Sequence, residues 1–201
     1  MKSVGLDFDN TIVIYDDLFK KLAIEKGLIN NDSEVAWSKT KIRDHLRRKN
    51  QDHEFTLLQG EVYGSRILEA EPAVNLIKTI TKLKSKGAQF KIISHKTRTP
   101  YSGPSYDLRK SALEWLKKYK IADKENALIG LDHVYFEDTK EAKIARINAM
   151  DLDYYVDDLP EIVNNINKPC SGILYSTNPI HAGKGMKIMS DWNQLDTLTS
   201  I

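Results

Sequence analysis

The fold of this chain is decided by residues 3–11, Ser3-Val4-Gly5-Leu6-Asp7-Phe8-Asp9-Asn10-Thr11. The first part of this stretch is an apolar run typical of a strand that is buried on both faces. Acidic and polar residues follow it directly. Strands of this kind occur in parallel sheets, whose ligands bind beyond the carboxyl ends of the strands. The polar end of the stretch is therefore the first place to look for chemistry.

Short apolar runs alternate with helical patterns along the rest of the chain, as expected for parallel strands joined by crossover helices. We therefore predict an α/β fold in which a Rossmann-like parallel sheet is sandwiched by helices. The predicted strands are Ser3–Phe8, Gln89–Ser94, His133–Phe136, Tyr154–Asp157 and Gly172–Tyr175.

Two crossover helices are indicated by apolar residues that recur three and four positions apart. For the first helix, Pro72 suits the start and Gly87 suits the C-terminal cap. The apolar faces are Val74, Ile77, Ile80 and Leu83 in the first helix, and Leu108, Ala112, Trp115, Leu116 and Tyr119 in the second.

The segment between the first two predicted strands is far longer than a crossover requires. An amphipathic pattern through Leu18, Phe19, Leu22 and Ala23 predicts a helix that ends near Gly27. Asp32-Ser33 could cap a second helix. We predict that residues 15–71 form a small helical cap over the end of the sheet. Residues 1–14 and 72–201 then form the α/β core domain.

Composition sets limits on partners and compartment. The chain has 201 residues and a formal charge of +2, so its overall balance does not call for a nucleic acid partner. The single cysteine, Cys170, cannot form an internal disulfide, which fits a reducing compartment. The N-terminus resembles neither a signal peptide nor a transit peptide, and no apolar stretch is long enough to cross a bilayer. We expect a cytoplasmic protein without membrane contact, and its oligomeric state cannot be predicted.

Polar side chains stand where the predicted strands end. Because the carboxyl ends of parallel strands meet at one edge of the sheet, these side chains should come together. The acidic ones repel one another unless a cation joins them, and Mg²⁺ prefers such oxygen ligands. We therefore expect Mg²⁺ as the cofactor. The residues are Asp7 and Asp9 after the first strand, Ser94 and His95 at the second, Asp157 and Asp158 at the fourth, and Lys140 and Lys143 before the fourth.

These groups suit the transfer of a phosphoryl group, whose charge must be neutralised while its attacker is aligned. Ser94 offers a hydroxyl donor to a phosphoryl oxygen, and a lysine supplies a positive charge to the same group. Asp9 could protonate the leaving oxygen and later deprotonate a water molecule.

By these motifs the sequence resembles the phosphohydrolase branch of the haloacid dehalogenase superfamily. Asp7-Phe8-Asp9-Asn10-Thr11 is similar to the first motif of the superfamily, and Lys91-Ile92-Ile93-Ser94 to the second. Lys143 is similar to the third motif and Val156-Asp157-Asp158 to the acidic fourth. The insertion after the first motif stands where the superfamily places a helical cap.

The resemblance implies a role for each matching residue. Asp7 is the nucleophile that forms an aspartyl-phosphate, Asp9 the general acid and base, and Ser94 and Lys143 complete the catalytic set. Lys140, one helical turn before Lys143, is the alternative lysine. The implied metal ligands are Asp7, the backbone carbonyl of Asp9, and the pair Asp157 and Asp158, with Asp158 binding directly and Asp157 through water. We expect a small phosphate monoester as substrate, contacted by Asn10, Thr11, His95, Lys96 and Arg98.

The sequence leaves other functions open. A phosphotransferase or phosphomutase would use the same residues. A dehalogenase is less favoured because its chemistry does not need Asp9 to protonate a leaving group. A non-enzymatic receiver-like switch also combines acids, a hydroxyl and a lysine, but its phosphorylated Asp lies in the middle of the chain. Neither the substrate nor its class beyond a phosphate monoester can be derived from the sequence.

Several charged or glycine-rich positions have simpler interpretations. The basic run Lys39–Lys49 is typical of a solvated helix face, with a substrate-binding or nucleic-acid-binding role as the alternative, in which Arg43 and Arg47 would contact the substrate. His181 is interpreted as structural, and Gly183-Lys184-Gly185 as a turn, because it lacks the spacing of a nucleotide-binding phosphate loop.

Overall fold

A computed structural model describes residues 1–31, 35–177 and 185–201. Within these ranges, six strands form one sheet in which every neighbouring pair is parallel. The strands of this sheet are Ser3–Leu6 (β1), Gln89–His95 (β4), Val134–Glu137 (β7), Tyr154–Asp157 (β8), Ser171–Tyr175 (β9) and Lys187–Met189 (β10). Their order across the sheet is β10-β9-β8-β1-β4-β7.

The first strand lies at the centre of this sheet. Ser3 pairs with Gln89 of β4 on one side, and Val4 pairs with Tyr154 of β8 on the other. Val4 and Leu6 are fully buried, as the apolar composition of the run predicts. The predicted α/β class and the five predicted strands are confirmed, and β10 is an additional strand that the sequence analysis missed.

Helices cover the sheet, and three of them begin at a capping side chain. Ser38, Asp107 and Thr139 each accept a backbone N–H from the first turn of the helix that follows. The helices are Asp16–Glu25 (α1), Lys39–Arg48 (α2), Asp52–Tyr63 (α3), Leu76–Ser85 (α4), Leu108–Lys118 (α5), Lys140–Ala149 (α6), Pro160–Val163 (α7) and Leu195–Thr199 (α8). Short 3₁₀ turns cover Ile67–Glu69, Leu131–His133 and Trp192–Gln194, and the strands Ala122–Asp123 (β5) and Ile129–Gly130 (β6) pair with each other.

The start of α4 was predicted wrongly, and of its predicted apolar face only the later part, Ile80 and Leu83, is buried. Pro72 belongs to a short strand rather than to the start of the helix, and Asn75 directly before α4 has a left-handed φ of 65°. The helix therefore begins later, and Val74 is 74% exposed. The predicted C-terminal cap is confirmed, since Gly87 has a φ of 93° that favours glycine.

Helices α1, α2 and α3 lie between two short strands that pair with each other, in a segment that is called the insertion below. Before it, Val13–Ile14 (β2) pairs antiparallel with Glu71–Pro72 (β3) after it. The buried residues of these helices, such as Phe19, Leu46 and Leu58, belong to the same hydrophobic cluster as the central strand. The predicted helix that ends near Gly27 is confirmed, whereas the Asp32-Ser33 cap lies outside the described residues.

A loop of the core packs against α3. A Cβ atom added at Gly60 would lie 3.2 Å from the side chain of Pro100, and one added at Gly64 would lie 2.6 Å from the ring of Tyr106. Gly60 within α3 and Gly64 directly after it both leave room for the loop of residues 97–107. Within the described ranges, none of the helices is both long and apolar enough for a lipid bilayer.

Candidate active site

The nucleophile candidate sits at the end of the central strand, beside the end of β8. The backbone N–H of Asp7 donates to the carbonyl of Val156 at 2.9 Å, so the two strand ends are held side by side. After Asp9 the chain turns sharply, because Asn10 adopts a left-handed φ of 56°, which asparagine tolerates better than most residues. Asp7 and Asp157 are both buried, and both lie at the carboxyl edge of the sheet as predicted.

Lys143 joins these two carboxylates. Its Nζ lies 2.6 Å from Oδ1 of Asp7 and 2.7 Å from Oδ2 of Asp157, and the lysine side chain is only 3% exposed. Burial lowers the pKa of Lys143, but the two carboxylates raise it by more, so the lysine stays charged. Lys140, the alternative, forms a partly exposed ion pair with Glu161 instead. The structure therefore brings Lys143, and not Lys140, against Asp7.

Asp7, Asp157 and Asp158 form a cluster that could hold a metal ion. One carboxylate oxygen from each lies within 4.8 Å of the others. Burial and the neighbouring Asp7 raise the pKa of Asp157 to about 7, although Lys143 opposes the shift, and the same causes raise the pKa of Asp158. The three acids carry more negative charge than Lys143 offsets. An all-oxygen set with excess negative charge fits Mg²⁺.

Asp9 does not belong to this carboxylate cluster, because two other groups hold it. The hydroxyl of Tyr15 donates to its Oδ1 at 2.6 Å, and Nζ of Lys96 lies 3.0 Å from the same oxygen. Burial and the nearby Asp9 raise the pKa of Tyr15 well above its usual value, so this hydroxyl keeps its proton and remains a donor. Oδ2 of Asp9 has no hydrogen-bond partner within the described part of the chain.

Lys96 is buried more deeply than its place in a basic loop suggests. It is 4% exposed, and its Nζ lies 5.2 Å from the ring centroids of Phe8 and Tyr63. The aromatic faces and Asp9 together compensate the buried charge. The sequence analysis predicted substrate contact for Lys96, and the structure adds that it is an ion-pair partner of Asp9.

Ser94 is placed as a free donor. It is 1% exposed and lines the cavity, yet among the described residues its Oγ has no hydrogen-bond partner. A buried hydroxyl without a partner is costly unless a ligand supplies one. Oγ1 of Thr11 also has no partner in the described ranges, but Thr11 is fully buried and does not line the cavity.

A cavity of about 360 Å³ lies above these residues, between the sheet and the helical insertion. Of the predicted substrate contacts, Asn10, His95 and Lys96 line it, whereas Thr11 and the exposed Arg98 do not. Of the predicted catalytic and metal residues, Asp7, Asp9, Ser94, Lys143 and Asp158 line the cavity, and Asp157 lies behind Lys143.

The insertion contributes residues that the sequence analysis did not single out. Lys39 from α2 and the α3 residues Thr56, Gln59 and Tyr63 line the cavity. The α3 residues share one helix face by their spacing, but their mixed polarity gives no signal that the face meets a site. Only the fold shows where it points.

The remaining charged positions lie away from the cavity. Arg43 pairs with Asp44 and the exposed Arg47 pairs with Asp52, so neither faces the substrate side. His181 and the Gly183-Lys184 part of the predicted turn lie outside the described residues.

By sequence, no protein family and no curated protein matches this chain. By structure, it is similar along its whole length to solved proteins of one fold. An L-2-haloacid dehalogenase matches with a TM-score of 0.60 at 13% identity, covering 100% of this chain and 99% of that one. A protein described as a predicted phosphoglycolate phosphatase from Haemophilus somnus 129pt has a TM-score of 0.58 at 16% identity, with 99% and 98% covered.

A third match is an archaeal β-phosphoglucomutase from a hyperthermophilic Pyrococcus species, with a TM-score of 0.51 at 15% identity and coverage of 100% and 98%. The chain therefore has the haloacid dehalogenase-like fold, as its motifs predicted. Proteins of this fold that match the chain carry different chemistries, so the reaction must be argued from the site itself.

Proposed function

We propose that this protein is a Mg²⁺-dependent phosphatase that hydrolyses a small phosphate monoester through an aspartyl-phosphate on Asp7. The observation that carries the proposal is the arrangement around Asp7. Its carboxylate faces the cavity, is bound by Lys143 at 2.6 Å, and lies within 4.8 Å of oxygens of Asp157 and Asp158. With Lys143 and a bound Mg²⁺ to neutralise charge, such a carboxylate nucleophile suits attack on an anionic substrate.

In the first half of the proposed reaction, an oxygen of Asp7 attacks phosphorus and the ester P–O bond breaks. Asp9 gives its proton to the leaving alcohol oxygen. In the second half, Asp9 takes a proton from water, which attacks phosphorus, releases inorganic phosphate and restores the Asp7 carboxylate. Bound Mg²⁺ would neutralise charge on the phosphoryl oxygens.

Each remaining residue supports one of these steps. Ser94 would donate its otherwise unpartnered hydroxyl to a phosphoryl oxygen, and Lys143 would hold Asp7 and balance its charge. Tyr15 and Lys96 both bind Oδ1 of Asp9, which leaves Oδ2 for proton transfer. These contacts hold the Asp9 carboxyl in a fixed position beside the cavity.

A hydrolytic dehalogenase would use the same nucleophile but would release a halide, which needs no proton from a carboxylic acid. The position of Asp9 favours the phosphatase. Its side chain lines the cavity and is bound by Tyr15 and Lys96. We further propose that residues 15–71 act as a cap over the cavity and that residues 1–14 and 72–201 form the core domain.

The experiment compares Asp7→Asn with Asp9→Asn by intact-protein mass spectrometry. Each variant is incubated briefly with an aryl phosphate and Mg²⁺ and quenched in acid. An aryl phosphate needs little leaving-group protonation, so Asp9→Asn should accumulate phosphate on Asp7 and hydrolyse it about 10²–10⁴-fold more slowly. Asp7→Asn should remain unmodified.

Phosphate mapped to Asp157 or Asp158 would refute the assigned nucleophile and favour a receiver-like switch. Phosphate on Asp7 that passes to an added alcohol faster than to water would favour a phosphotransferase. Full turnover in excess chelator would contradict the dependence on Mg²⁺.

A further inference from the structure

Lys39 is a cation on the wall of the cavity that differs from the other lysines there. Lys96, Lys140 and Lys143 each have a carboxylate partner, namely Asp9, Glu161 and Asp7. Lys39 forms no such ion pair within ranges 1–31, 35–177 and 185–201.

The position of Lys39 is fixed although its ammonium has no carboxylate partner among the described residues. It is the first residue of α2, its backbone N–H donates to Oδ1 of Asp16 at 2.8 Å, and Ser38 caps the helix. Its Nζ lies 5.4 Å from the ring centroid of Tyr63 and 5.9 Å from that of Phe19. Aromatic faces at this distance hold a cation without neutralising it.

The ammonium also keeps its charge. Burial lowers the pKa of Lys39, but the hydroxyl of Tyr63 and the carboxylates of Asp9 and Asp158 raise it by more, so the pKa lies above its usual value. Lys39 lines the same cavity as Asp7 and Asp9, so its ammonium faces the candidate catalytic groups rather than the outside.

Polar residues of α3 lie on the same wall of the cavity as this cation. Thr56, Gln59 and Tyr63 lie on one face of the helix and line the cavity together with Lys39. The wall contributed by the insertion is therefore polar and positively charged. Asp7, Ser94 and the groups that would hold the transferring phosphoryl lie on the opposite wall, at the end of the sheet.

We infer that Lys39 binds a second anionic group, a carboxylate or a second phosphate, on the organic part of the substrate. This inference rests on the proposed phosphatase function and adds the substrate class to it. A cavity of about 360 Å³ is at the small end of ligand sites, which suits a compact substrate with two anionic ends. Thr56 and Gln59 would serve hydroxyls between the two ends.

The test uses matched pairs of substrates that differ only in the second charge. The first pair is phosphoglycolate and 2-hydroxyethyl phosphate. The second is propane-1,3-diol bisphosphate and 3-hydroxypropyl phosphate. The readout is the ratio of kcat/KM within each pair, with p-nitrophenyl phosphate as a common reference substrate. The pairs distinguish a carboxylate from a phosphate as the second anion.

In the native protein, the anionic member of at least one pair should be favoured by about ten-fold or more, the contribution of a charged hydrogen bond. Lys39→Met should lower that ratio toward one, and Lys39→Arg should retain most of it. Lys41→Met is the matched control, because Lys41 lies on the exposed side of α2 and donates to the carbonyl of Ala36. Thermal unfolding of each variant verifies the fold.

Three results would overturn the inference: no preference in the native protein, a preference unchanged in Lys39→Met, or an equal loss for both members of a pair. The last would place Lys39 on the transferring phosphoryl group itself. Absence of hydrolysis for every substrate, including p-nitrophenyl phosphate, would instead overturn the proposed phosphatase function on which the inference rests.

Discussion

Replacing Lys143 by methionine tests the charge balance of the site directly. Methionine keeps most of the length of the side chain but removes the charge that lies 2.6 Å from Asp7 and 2.7 Å from Asp157. The two carboxylates are 5% and 0% exposed, so water cannot replace the lysine without a rearrangement. Removing one partner of a buried ion pair typically destabilises a protein by about 3–5 kcal/mol.

For a chain of this size, such a loss lowers the midpoint of thermal unfolding by about 6–20 °C. The matched control is Lys140→Met, one helical turn earlier, whose partner Glu161 is 56% exposed. A pair this exposed contributes at most about 1 kcal/mol. The assay is calorimetric or urea unfolding of both variants in chelator at neutral pH.

Two further conditions distinguish charge from packing. The difference between the variants should shrink as the pH falls, because unpaired carboxylates then take up protons and no longer repel. It should also shrink in Mg²⁺, which would replace the missing positive charge. Equal stability of Lys143→Met and Lys140→Met in chelator, or a deficit independent of pH, would refute this account of the site.

Other predictions concern the metal, the hydroxyl and the packing of the insertion. Burial and Asp7 raise the pKa of Asp157 to about 7, so a proton competes with Mg²⁺ for the site below that pH. The affinity for Mg²⁺, measured by calorimetry, should therefore weaken about ten-fold per unit as the pH falls. An affinity for Mg²⁺ that does not depend on pH would contradict this. Ser94→Ala should reduce kcat/KM about 10–100-fold, the contribution of a charged hydrogen bond, without lowering the free energy of unfolding, since its Oγ has no partner among the described residues. Equal losses of activity and stability would instead indicate a structural role. Gly64→Ala should destabilise by about 1–3 kcal/mol in urea unfolding, because its Cβ would lie 2.6 Å from the ring of Tyr106; the exposed Ser65→Ala is the control.

The polar residues at the carboxyl edge of the sheet could be predicted because one rule governs where they lie. In a parallel sheet all strands end on the same side, so the residues that stop each apolar run must meet. Asp7, Ser94 and Asp157 follow this rule and come together in the structure. The choice between Lys140 and Lys143 could not be made, because both lie on one helix a turn apart and only packing against Asp7 separates them.

The basic loop shows where such reasoning stops. His95-Lys96-Thr97-Arg98 has the appearance of one charged surface, yet Lys96 is buried against Asp9 and Arg98 is exposed. The burial of Lys96 could have been predicted from the sequence. Side chains alternate along an extended chain, so Lys96 lies on the same side as the buried Ser94. The partner of Lys96 could not be derived, because it depends on how the turn after Asp9 closes.

The features of the fold that the sequence did not predict were also missed for physical reasons. Strand β10 has three residues, too few for a periodic pattern to stand out. Pro72 suited a helix start in isolation, but its pairing with Val13 depends on a contact distant in sequence. Lys39 was one of several similar residues in a basic run, and its position on the wall of the cavity depends on how α2 packs in the folded chain.

The pairing of β2 with β3 has a consequence for how this protein could have diversified. The chain leaves the core at Ile14 and returns at Glu71, and these two residues are hydrogen-bonded neighbours. The chain therefore leaves the core and returns to it at a single seam, although α3 also packs against the loop of residues 97–107. A shorter or longer segment could be grafted at this seam without altering the register of the central sheet. Selection could in this way exchange the segment that covers the cavity while the strand ends that carry Asp7 and Asp157 stay in place.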